Sequence, residues 1–351
     1  MGTRLERKEV IYTKLKPNQL ELIQHLCQFN TLDYASCLQL LDTANTGDKN
    51  AMSYVFRPLT KNKYISKHEN GNVTILARGR ALFPKIKPLA TVGGGSGNRV
   101  NSISRTAAIL RKIGIEIVAS PAMSEYECFI PSTCWRKIRH GILSTVRFTG
   151  MLFIGSHKLA IYDIGDGSME WQLRAEKSLF YSHFNEEFDT TATGMLFICD
   201  NDKRIEVAKS IIRHTMRQRK MLIEHESYEE RTRPVKYAKA PIRVSWRYGH
   251  VYLTTPKLLA ESLEQIKTEE TTIEKLKSHR ETCYNSKWGD FEDKSCRYFV
   301  NTATDLLKYV YFFTEVKSLN GVNYGIIAPP EDIPIIKMYP KIMEGVKVYE
   351  Y

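Results

Sequence analysis

Residues 147–167 read RFTGMLFIGSHKLAIYDIGDG. Two short apolar strands around a Gly-Ser turn run into an acidic, glycine-bearing stretch, the outline of a hairpin that carries carboxylates in metal-dependent nuclease cores. That chemistry needs about two carboxylates on a hard cation such as Mg²⁺ and a lysine near the attacking water. The carboxylates at hand are Asp163 and Asp166 at the end of the second strand and Glu170 in the following EWQLRAEKSLFYSHF. Asp163 is the one acid within the strands, a poor site for a hard cation, so the sequence predicts a core that binds and does not cut. No resident metal is expected, and Mg²⁺ enters only if the core is an active nuclease after all. Nicking through a tyrosine ester is the other enzymatic route. With 19 tyrosines and no close pair among nine histidines, Tyr181 reads as structural.

The positioning elements have to come from the rest of the chain. At 351 residues it is long enough for two or more domains. Lys and Arg number 51 against 39 Asp and Glu, a net charge of +12 that points to nucleic acid or an acidic membrane surface as partner. No apolar run approaches the ~20 residues that span a bilayer. The first residues, MGTRLERKEVIYTK, lack the apolar centre of a signal peptide, and Glu6 stands where myristoylation needs Ser or Thr. The seven cysteines are scattered, with no C-x-x-C pair, which predicts reduced, buried thiols in a cytoplasmic protein.

The N-terminal region has a definite order. KPNQLELIQHLCQF predicts a helix over about 17–29, and TLDYASCLQLLD a second with Thr31 as its N-cap. DKNAMSYVFRPLTKNKYI predicts a third, which Pro58 should kink or interrupt. A strand, Asn-Gly turn and strand follow in YISKHENGNVTILARGRALF. Three helices and a hairpin in this order are a winged helix-turn-helix, whose third helix enters the major groove of duplex DNA. Residues 1–91 hold 14 Lys or Arg against 7 acids. The candidate DNA contacts are Lys49, Asn50, Ser53, Tyr54, Arg57 and Lys61 on the third helix, with Lys63 and Lys67 around the hairpin. Protein-binding winged helices are the alternative.

ATVGGGSGNRVNSIS reads as a flexible connector without the order of a nucleotide loop, and a helix is predicted over about 102–113. Beyond it the pattern turns to mixed strands and helices, with apolar strands in IEIVAS, YECFIP, GMLFIG, KLAIYDI and GMLFICD and helices near 172–184 and 203–224. Residues 203–247 carry 13 Lys or Arg against 5 acids, and RVSWRYGHVYLTTP reads as a hairpin with an aromatic rim. Arg213, Arg217, Arg219, Lys220, Arg243 and Arg247 are therefore candidates for a second, backbone-tracking surface. A polar helix and a strand-helix-turn-strand tail complete the chain. The predicted organisation is 1–88 winged helix, 89–101 linker, 102–255 α/β core, and 256–351 helix plus β-α-β tail packed on that core.

In this architecture, and in the segment FVNTATDLLKYVYFF, the chain resembles the replication-relaxation family of plasmids and integrative elements. The resemblance implies an α/β (α+β) fold in which the winged helix joins a mixed-sheet, restriction-endonuclease-like core. It implies recognition of double-stranded DNA of a mobile element to support replication or relaxation, with replication or conjugation proteins as further partners. Against the family pattern, Thr149-Gly150 stands in place of an Asp-Gly step and Ile161 in place of an acid, while Asp163, Glu176, Lys177 and Tyr181 remain. Two alternatives are carried forward: an active metal-dependent nuclease or relaxase, and a winged-helix transcriptional regulator.

Overall fold

Helix α1 (Pro17–Phe29) opens with a proline in its first turn, and Gln19 Oε1 accepts the Lys16 N–H at 2.9 Å. Its Leu22, Ile23, Leu26 and Phe29 are fully buried, the stripe that the 3.6-residue period requires. The computed structural model describes residues 15–41, 49–89, 97–120, 127–134, 148–165, 194–213, 215–216, 250–278, 290–293, 296–315, 323–340 and 343–350. The chain divides into two units, Met1–Met151 and Leu152–Tyr351.

In the first unit, α1 is followed by β1 (Thr31–Asp33), α2 (Tyr34–Leu40), α3 (Lys49–Lys61), β2 (Ile65–Lys67) and β3 (Asn72–Ile75). The strands form an antiparallel sheet in the order β1-β3-β2, with Thr31 opposite Thr74 and Ile65 opposite Ile75. Thr31 therefore does not cap α2. Pairing with β3 holds residues 31–33 extended, and Asp33 caps instead, its Oδ1 accepting the Ser36 N–H at 2.9 Å. Nor does Pro58 interrupt α3, which runs on to Lys61. Val55, Phe56 and Leu59 pack into the same core as Leu26, Leu32, Tyr64 and Val73, and Gln19 Nε2 donates to Val55 O at 2.7 Å. This packing outweighs the roughly 3 kcal/mol cost of an internal proline.

Behind the hairpin lie α4 (Ala77–Arg80) and α5 (Gly97–Lys112). Helix α5 begins five residues before the predicted start, so the end of the supposed connector is helical. Ser104 Oγ lies 3.0 Å from the buried His25 Nε2, and Asn101 binds Thr31 Oγ1 at 3.1 Å. The short strands β4 (Glu116–Ile117) and β5 (Cys128–Pro131) pair in parallel, and β6 (Phe148–Ile154) crosses the division between the units.

The second unit is built on β7 (His157–Gly165), β8 (Gly194–Cys199) and β9 (His250–Thr254), paired in parallel with Ile161 opposite Leu196 and Leu196 opposite Tyr252. Their runs LAIY, MLFIC and VYL are buried throughout, as a parallel sheet covered on both faces requires. Residues 204–213 are helical, and helix α6 (Leu259–Ser278) lays Ser262, Leu263, Ile266 and Glu269 inward. The tail forms a four-stranded sheet in the order β10 (Phe291–Glu292), β11 (Arg297–Val300), β12 (Tyr324–Ala328), β13 (Lys347–Glu350). Helix α7 (Leu306–Glu315) connects the parallel β11 and β12, the predicted strand-helix-strand. The short α8 (Ile333–Ile336) follows β12.

The protein is thus mixed α/β, with antiparallel and parallel sheets. Among the described residues, no helix is long and apolar enough to cross a membrane. Cys27, Cys37, Cys128, Cys199 and Cys296 are buried thiols outside any disulfide and Cys134 is half-buried; Cys283 lies outside the described residues. Burial pushes the Cys199 thiol up to about 12. The predicted helix at 172–184 and the first half of the hairpin in 243–256 also lie outside them.

Candidate nucleic-acid interface

Residues 49–89 carry nine Lys or Arg against the single acid Glu69, a balance of +8. Amphipathicity sorts part of that charge onto α3. Val55, Phe56 and Leu59 face the core, whereas Arg57 and Lys61, one turn apart, are exposed. Lys49, Asn50, Ser53 and Tyr54 lie on the first half of the same helix, where only the backbone is described.

The helix ends in a Schellman arrangement: Tyr64 N–H donates to Leu59 O and Lys63 N–H to Thr60 O, both at 3.0 Å. Lys63 occupies the left-handed position at φ 56°. Glycine is the ordinary residue there, and a side chain costs about 1–2 kcal/mol. The exposed ammonium of Lys63 thereby extends the cationic stripe past the last turn. The side chains of Arg57, Lys61 and Lys63 have no hydrogen-bond, ion-pair or cation–π partner among the described residues.

The hairpin turns through His68–Gly71, closed by His68 N–H to Asn72 O at 2.8 Å and Gly71 N–H to His68 O at 3.0 Å. Gly71 takes φ 80°, which accounts for the Asn-Gly signal. Lys67 Nζ sits 3.6 Å from the centroid of the Tyr34 ring. That ring meets Phe56 edge-on at 5.0 Å and 89°. Arg78 is drawn back to the protein, stacking on Tyr64 with its guanidinium carbon 5.0 Å from the centroid and donating to Asn62 O at 3.1 Å. Arg80 binds Asn30.

Of the second predicted surface, Arg213 is exposed in the helical stretch 204–213. Arg217, Arg219, Lys220, Arg243 and Arg247 lie outside the described residues. So do Asp166, Glu170, Glu176, Lys177 and Tyr181. Thr149 and Ile161 are buried, and Asp163 lies near the end of β7 opposite Ile198, beside a register shift before Gly165. Among the described residues no three His, Cys, Asp or Glu side chains are grouped to hold a metal.

The second unit holds two polar clusters that sequence reasoning missed. Asp305 caps α7 through Leu307 N–H at 2.9 Å, accepts the Val251 N–H at 3.1 Å, and lies 2.7 Å from His250 Nδ1. Lys308, one turn on, binds Glu269 and the Val300 carbonyl at 2.9 Å. Burial opposes the charged His250, but the hydrogen bond and charge of Asp305 outweigh it and raise the imidazole above its ordinary value. Burial likewise works against the Asp305 carboxylate, yet His250 and Lys308 hold it below its ordinary value. In the other cluster Asp332, fully buried, accepts from Arg204, from Thr304 Oγ1 at 2.8 Å and from Tyr309 OH at 2.6 Å. These partners are up to 128 residues apart in sequence, with no motif to announce them. Both clusters tie elements together and neither gathers a metal-binding group.

No protein-family model, curated protein or solved structure matches the chain.

Proposed function

We propose that residues 1–88, within the first unit, form a winged helix that binds duplex DNA, with α3 presented to the major groove. The observation that carries this reading is the row of exposed, unpartnered cations Arg57, Lys61 and Lys63 on the outer side of α3 and its C-terminal turn. The element order α1-β1-α2-α3-β2-β3 with sheet order β1-β3-β2 supports it, because it exposes the third helix on a small core. Lys63 adds a further argument: a strained lysine stands where a glycine would cost less. Residues 102–255 are read as a nuclease-like core kept for binding, since Thr149 and Ile161 cannot ligate a hard cation in place of carboxylates. The resemblance to the replication-relaxation family assigns this binding to replication or relaxation of a mobile element.

The test is anisotropy of a labelled 30-base-pair duplex titrated with the full chain across a salt series. Binding should weaken with salt, and replacing Arg57, Lys61 and Lys63 by Ala should flatten the log–log slope by about 0.9 per lost phosphate contact. A triple variant with unchanged affinity and slope removes α3 from the interface.

A further inference from the structure

Helix α3 and the hairpin behind it use their polar side chains in opposite ways. On the helix and its end, Arg57, Lys61 and Lys63 are exposed and uncommitted. On the hairpin nearly every polar group is already engaged. The Lys67 ammonium lies over Tyr34 at 3.6 Å, and His68 Nε2 lies 2.8 Å from Thr74 Oγ1. Asn70 Oδ1 accepts the Asn72 N–H at 3.1 Å, and Asn72 Oδ1 accepts from Asn101 Nδ2 of α5 at 2.8 Å. Gly71 O takes the Tyr34 N–H at 2.9 Å, which ties the turn to the start of α2. The tip side chain left without a partner among the described residues is Glu69, an exposed carboxylate.

A hairpin that reads the minor groove needs a free cation or amide at its tip, because that groove concentrates negative potential. This tip offers the Glu69 carboxylate beside one amide, that of Asn70, whose oxygen is already held by the Asn72 N–H. Tyr34 meanwhile touches both elements, Phe56 of α3 in a perpendicular ring contact and Lys67 of β2 over its face. From these contacts, and resting on the DNA-binding reading above, we propose that the hairpin braces α3 and does not read DNA. Lys67 is a positioning residue acting through Tyr34, and sequence is read from the major groove alone, with the minor groove left open.

The experiment uses the full chain and two forms of one duplex, the second with every G·C pair replaced by inosine·C. This swap removes the minor-groove amino group and leaves the major-groove edge of each pair in place. Affinity should agree within about twofold between the two duplexes, and saturating netropsin, a minor-groove ligand, should not displace the protein. Lys67→Ala should weaken binding about two- to fivefold, the size of an exposed cation–π contact, with the salt slope unchanged. Lys67→Arg should restore affinity, and Arg57→Ala should flatten the slope by about 0.9. A Lys67→Ala slope that falls like that of Arg57→Ala makes Lys67 a phosphate contact and overturns the proposal. So does a large loss of affinity on the inosine duplex or displacement by netropsin. Absence of salt-dependent binding by the wild-type chain sinks the DNA-binding reading itself, and the two failures are told apart by that control.

Discussion

Replacing Asp332 by Asn changes one atom and removes one charge from the interior of the second unit. The carboxylate is fully buried, and the Arg204 side chain bound to it is only 8% exposed. In Asp332→Asn the guanidinium keeps the Glu331 carbonyl at 2.8 Å but loses its counter-charge. An unpaired buried charge of this kind costs about 3–5 kcal/mol. Thr304 and Tyr309 must also share the one remaining acceptor oxygen with Arg204, so the upper half of that range is expected. Burial pushes the Asp332 carboxyl above its ordinary value in spite of its three donors, so desolvation of this pair is itself expensive. It follows that Arg204→Met with Asp332→Leu, which removes both charges, should cost at least about 2 kcal/mol less than the sum of the single changes. Urea unfolding followed by circular dichroism gives the energies, and amide exchange in α7 assigns the transition to the second unit. A single substitution costing under about 1 kcal/mol, or a double variant that is simply additive, would refute the argument.

Titration separates the units. His250 has a raised folded value, so its contribution is complete below the unfolded value and is lost as pH rises through the folded one; melting of the second unit should fall on that alkaline side, and His250→Gln should flatten the fall. His25 behaves oppositely: burial, aided by the charge of Arg111, lowers it well below 6.5, so the first unit should lose stability as pH drops beneath that value, by up to ~1.4 kcal/mol per pH unit. His25→Leu should abolish this dependence, read as melting temperature against pH. At Gly79 an added Cβ would stand 2.5 Å from both Tyr64 O and Ile75 Cδ1, so Gly79→Ala should cost about 1–3 kcal/mol in urea unfolding of the first unit.

What was legible in the sequence followed local rules. The apolar spacing of α1, the Asn-Gly turn with Gly71 and the buried runs of β7 and β8 each depend on neighbours a few residues away. The failures came where distant partners decide. Thr31 looks like a cap until β3 pairs with it forty-three positions later, and Pro58 looks like a break until the packing of Val55, Phe56 and Leu59 holds α3 through it. Glycines before residue 101 suggest a connector, yet α5 starts at Gly97, and Asn101 and Ser104 bind Thr31 and His25 from earlier in the chain. At the candidate site, the sequence named Arg57, Lys61 and Lys63 among eight residues of α3 and the hairpin, from polarity alone. It could not separate them from Lys67, because the engagement of Lys67 depends on Tyr34, which lies thirty-three positions away.

The central claim is that the outer surface of α3 lies against DNA, and photo-crosslinking tests it most directly. A photoreactive amino acid placed singly at Arg57 or Lys61 in the full chain should crosslink to a duplex at low salt, whereas the same group at the exposed Glu274 of α6, on the second unit, should not. Efficient crosslinks from 57 and 61 that disappear with added salt are the predicted result. A duplex that binds the chain but is captured only from position 274, with none from α3, would contradict the account.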